Sequence, residues 1–117
     1  MIHAAHASRF HWENVGQPEN KAVGEWQCAR VYSVLGRAEP AIHHATASLA
    51  ICEDAGIGGF VRAAAYEALT RACLVAGDAV AADRWEALAR EEAGRIDDPE
   101  DREVFDRDMA SLPSSSG

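Results

Sequence analysis

Two arginines stand at matching places in this chain. Arg30 lies six residues before Gly36, and Arg71 six residues before Gly77. A guanidinium is a planar fork of donors that can hold a carboxylate through two parallel hydrogen bonds. Two of them on one face would grip an acidic peptide or a small carboxylate. The competing reading is structural: in a bundle with many acids, each arginine bridges to a local carboxylate, Glu67 first among them.

Five histidines come next, His3, His6, His11, His43 and His44. His3 and His6 are one helical turn apart, as are Glu39 and His43. A metal site needs at least three converging ligands and partners that orient them. Neither His-Glu-x-x-His nor a pair of Glu-x-x-His motifs occurs, so no metal or other cofactor is expected. His11-Trp12-Glu13 places an acid, a base and an aromatic side by side. Neighbours on a helix fan out by about 100°, however, so the trio does not converge, and Trp12 reads as a packing residue against the next helix. Cys28, Cys52 and Cys73 form no Cys-x-x-Cys pair and read as reduced, mostly buried thiols. Gly56-Ile57-Gly58-Gly59 has no preceding strand and no Lys-Ser/Thr, which makes it a hinge between helical units rather than a phosphate loop.

The elements that would position these residues are set by a turn that occurs twice. Gly36-Arg37-Ala38-Glu39-Pro40-Ala41 and Gly77-Asp78-Ala79-Val80-Ala81-Ala82 both read Gly-x-Ala-x-x-Ala, with their glycines 41 residues apart. Each closes one helical pattern and opens another, the mark of a helical repeat array. Alanine fills 24 of 117 positions, which favours helices that pack closely. Six helices are predicted, over residues 2–15, 19–35, 39–53, 60–76, 78–95 and 99–112. Asp78 and Asp98 are N-caps, and Pro40 and Pro99 sit in first turns, where the missing N–H costs little. Ala82, Trp85, Leu88 and Ala89 are expected to face inward, and Val104, Phe105 and Met109 to dock the last helix on the one before it as a cap. No stretch alternates with period two, so the chain is read as all-α.

Between residues 25 and 89 the chain resembles the tetratricopeptide repeat (TPR) family. Trp26, Ala29, Tyr32, Gly36 and Ala41 approximate one unit, and Tyr66, Leu69, Cys73, Gly77, Ala82 and Ala89 a second. Trp26 is one place out of register, Cys73 stands for a tyrosine, Ala45 for a large aromatic, and the period exceeds the family's 34. The resemblance implies an array of antiparallel α-hairpins wound into a right-handed superhelix. It also implies that Arg30 and Arg71 line a concave groove shared with Val23, Trp26, Val34, Glu67 and Leu74. The expected function is then a non-enzymatic scaffold whose groove, through Trp26, Arg30, Glu67, Arg71 and Leu74, recognises an acidic or carboxylate-bearing protein or peptide. The rival is a small-molecule- or metal-binding helical bundle using His3, His6 and His43 or His44.

Residues 1–112 form one expected domain, followed by a small polar tail, 113–117, expected to be disordered. Net charge is −8, and −7 of it falls from Asp78 onward. Clustered positive charge, which a nucleic-acid backbone requires, is missing there, so no nucleic-acid partner is expected. No apolar run approaches the roughly 18 residues of a membrane span, and no basic-then-apolar leader opens the chain, so a cytoplasmic location is expected. End hairpins of a repeat array need covering, by the first and last helices or by self-association into a homodimer.

Overall fold

The computed structural model describes residues 17–113. Five helices follow one another: α1 Pro18–Val34, α2 Ala38–Ala55, α3 Phe60–Ala76, α4 Ala79–Ala93 and α5 Pro99–Ala110. No strand occurs among the described residues, and the fold is all-α. The helix expected over residues 2–15 and most of the expected tail lie outside the described residues.

The repeated turn is repeated bond for bond. Gly36 and Gly77 have φ of 75° and 81°, left-handed conformations that favour glycine. Arg37 N–H donates to Tyr32 O at 2.8 Å, and Asp78 N–H to Cys73 O at 2.9 Å, closing α1 and α3 alike. Ala41 N–H then bonds Arg37 O, and Ala82 N–H bonds Asp78 O, so α2 and α4 open the same way. Ala41 and Ala82 are both buried where the paired helices meet. Asp78 and Asp98 accept from Ala81 N–H and Glu100 N–H, as N-caps should.

The α2–α3 loop is pinned, which corrects its reading as a hinge. Arg62 donates from Nε to Ile57 O at 2.8 Å and from Nη2 to Cys52 O at 3.0 Å. From α4, the buried Glu92 accepts the Gly59 N–H at 2.7 Å through Oε2 and Arg95 Nη1 at 2.8 Å through Oε1. A Cβ on Gly58 would lie 3.1 Å from that Oε2, so the loop's glycines serve a close approach.

Helix α3 is the centre of the fold. Every residue from Ala63 to Cys73 is buried, and α1, α2, α4 and α5 all pack on it. A helix buried on all sides must be apolar or internally satisfied. Here Ala63, Ala64, Ala65, Ala68 and Ala72 supply the smooth surface, while Thr70 bonds its own helix at Tyr66 O. Trp26 meets Phe60 edge-on at 6.1 Å, and Tyr66 stacks on Trp85 at 6.0 Å, filling the space that alanines leave.

Two expectations change. Helix α5 packs on α3 rather than chiefly on the helix before it, burying Phe105 and Met109 while Val104 is only half-buried. Leu88 is exposed, because the inward stripe of α4 runs instead through Ala82, Ala89, Glu92 and Ala93. Two of the three cysteines are buried, in keeping with mostly buried thiols: Cys28 is exposed, and at Cys52 and Cys73 desolvation raises the thiol pKa above its ordinary value. Among the described residues no helix is long and apolar enough to cross a membrane.

Replacing Gly36 or Gly77 by Val should destabilise the protein by about 1–2 kcal/mol each, read as a shift of the urea midpoint. Phe105→Ala should cost about 3 kcal/mol or more in the same assay, since the ring is 2% exposed.

Candidate functional site

The two register-matched arginines both point toward α5. On α3, Arg71 bonds Glu67 one turn earlier, Nε to Oε2 at 2.9 Å and Nη2 to the same oxygen at 2.6 Å. Its Nη2 also donates to Asp108 O at 3.0 Å and to Ser111 Oγ at 2.8 Å, and Nη1 to Ser111 O at 3.4 Å. Those oxygens terminate α5, where carbonyls are left without helical partners and the helix dipole is negative. A cation is favoured there, and Arg71 supplies it from another helix. On α1, Arg30 Nη2 lies 3.5 Å from Asp108 Oδ1. The site is therefore a four-charge cluster, Arg30, Glu67, Arg71 and Asp108, drawn from three helices.

This geometry takes Glu67 and Arg71 out of any open groove. Glu67 is 1% exposed and Arg71 7%, and their charges are met inside the fold. Arg30 keeps a third of its side chain exposed. Trp26 is half-buried against Phe60, and Leu74 is half-buried near the end of α3. Val34, expected in the same groove, is 74% exposed. The local part of the arrangement, Glu67 four residues before Arg71, is readable from sequence spacing. Asp108 and Ser111, 37 and 40 residues beyond Arg71, carry no such signal.

Burial raises the Glu67 pKa, and this desolvation outweighs the Arg71 charge and hydrogen bond that oppose it. Arg30 lowers it further and Asp108 raises it. Among the described residues Glu67 Oε1, Trp26 Nε1 and Ser33 Oγ are buried and find no hydrogen-bond partner.

A second cluster joins α1 to α2. His44 Nδ1 lies 2.6 Å from Glu25 Oε1, and its ring stacks on Tyr32 at 5.6 Å. His43 meets His44 edge-on at 5.0 Å, and the Arg37 guanidinium lies 6.0 Å from the centre of the Tyr32 ring. His43 and His44 thus pack within an aromatic cluster, and among the described residues no three His, Cys, Asp or Glu side chains are placed to hold a metal. His3, His6 and His11 lie outside the described residues.

With this geometry in place, comparison with known proteins adds no relative: no family model, no curated protein and no solved structure matches the chain.

Arg71→Ala leaves the Glu67 charge buried without its partner and should cost about 3–5 kcal/mol, whereas Glu67→Leu with Arg71→Met should recover most of that loss. Chemical denaturation of the three chains separates the outcomes. A raised folded pKa means that Glu67 stabilises most below the ordinary glutamate value of 4.5, and that this contribution falls as pH rises through the higher folded value. Glu67→Gln should accordingly gain stability relative to wild type as the pH is raised above 4.5. A relative loss on that rise would show Arg71 dominating desolvation.

Proposed function

We propose that the protein is a protein- or peptide-binding scaffold of the tetratricopeptide-like type, recognising an acidic or carboxylate-bearing segment through Arg30. The observation that carries this reading is the inequality of the two arginines. Arg71 is buried and makes five contacts to four oxygens inside the fold. Arg30 has one ion pair, at 3.5 Å, and is a third exposed. A guanidinium with donors to spare can exchange or share Asp108 with an incoming carboxylate, because a loose, partly solvated pair is worth only about 0–1 kcal/mol. Arg71 and Glu67 hold α3 and α5 at the spacing that leaves Arg30 at their edge.

The chemistry of the partner follows from what Arg30 already meets, an aspartate near the C-terminal end of an acidic helix. A partner helix of that composition offers the same carboxylate and the same negative dipole end. The two hairpins with matching turns support the scaffold class, since stacked α-hairpins present rigid faces on which such contacts can be fixed. An exposed thiol at Cys28 with no disulfide in the described fold is compatible with a reducing, cytoplasmic setting.

A fluorescein-labelled peptide copying residues 98–113, acidic and helix-forming, is the probe. Titrated with the full chain at low salt, it should bind saturably. Arg30→Ala should weaken binding about tenfold, and Arg84→Ala, on the exposed surface of α4, should leave it unchanged. Absence of saturable binding, or equal effects of the two substitutions, would overturn the reading.

A further inference from the structure

Helix α4 packs chiefly on α3, and its opposite face is left uncovered. At about 100° per residue, Val80, Ala87 and Gly94 run down the middle of that face, about two turns apart. All three are exposed, Val80 at 73%. Asp83 and Arg90 line one edge, and Arg84 and Glu91 the other, all four exposed as well.

The edges carry charge that the helix itself leaves unmatched. Among the described residues the side chains of Asp83, Arg84 and Glu91 form no ion pair or hydrogen bond, while Arg90 bonds Glu86 one turn back. Arg84 has no acid one turn away in either direction, since Val80, Ala81, Ala87 and Leu88 fill those places. Glu91 follows Ala87 and Leu88 and precedes Gly94, and the Arg95 beyond it is paired with Glu92.

Each edge is its own complement when reversed. A two-fold axis through Ala87, relating two antiparallel copies of α4, sets each edge against the same edge of the other copy. Asp83 then faces Arg90 of the other copy, and Arg84 faces Glu91, each pair occurring twice. Down the middle, Val80 covers Gly94 and Ala87 meets Ala87, so small residues let the two backbones approach closely. A parallel pairing would set every charge against its like.

We propose that α4 is a self-association helix, through which two copies of this chain pack antiparallel about Ala87. The occupant is a second copy because the charge order on this face matches itself, and only in that orientation. Arg30 stands on α1 and takes no part, so this pairing holds or fails apart from the binding role assigned to that residue.

Sedimentation equilibrium of the full chain tests the pairing. The 12.6 kDa monomer should give way to a species of twice that mass at about 100 μM, a weak association because two 15-residue helices make a small interface. Arg84→Glu and Glu91→Arg should each stay monomeric there, since each sets like charges against one another. Mixed in equal amounts, or combined in one chain, the two substitutions make opposite-charge pairs again and should restore the dimer. In a Cys28→Ser chain oxidised with diamide, Ala87→Cys should give a covalent dimer in most molecules, and Glu103→Cys, on α5, in few. A monomer at every concentration up to about 1 mM overturns the proposal. So does a dimer that survives both single reversals, a mixture that stays monomeric, or equal cross-linking at the two cysteine positions.

Discussion

One buried guanidinium organises this fold. Arg71 sits on the central helix with 7% of its surface exposed, and a charge so placed is tolerated only when its donors are met. Glu67 meets them from within α3, and the terminal oxygens of α5 meet them from outside. The second set fixes the position of α5 along α3, because shifting it by a residue would move Asp108 O and Ser111 Oγ off the guanidinium. An apolar pair of the same volume would hold α5 as firmly, but greasy surfaces slide where a fork of donors does not. Arg71 therefore contributes placement more than net stability.

The rest of the architecture makes that placement possible. Alanine at Ala63, Ala65, Ala68 and Ala72 lets four helices close on α3. Such a core buries little area per residue, so Trp26, Phe60, Tyr66, Trp85 and Phe105 supply much of the apolar burial. The loops are held with comparable economy: Glu92 reaches from α4 to the start of α3, and Arg62 closes the end of α2. What stays loosely engaged is Arg30, at the edge of the charge cluster.

What was legible in the sequence is what depends on neighbours along the chain. Gly36, Gly77, Asp78, Asp98 and Pro99 mark turns and caps whose bonds span a few residues, and α3 lies over residues 60–76 as its pattern indicates. The Glu67–Arg71 pairing is likewise a one-turn spacing. Contacts set by tertiary approach were not legible. Nothing in the spacing of Asp108 or Ser111 points to Arg71, and nothing near Gly58 points to Glu92. Apolar period alone also misplaced Leu88: it shows that a face is apolar without saying which helix covers it.

Native-state hydrogen exchange of α5 tests the central claim most directly. If Arg71 ties the end of α5 to the core, the amides of Phe105 and Met109 should exchange only through global unfolding, with the same free energy and denaturant dependence as Ala68 and Leu69 in α3. Exchange of the α5 amides through a local opening, at markedly lower free energy and with little denaturant dependence while α3 remains protected, would contradict the account.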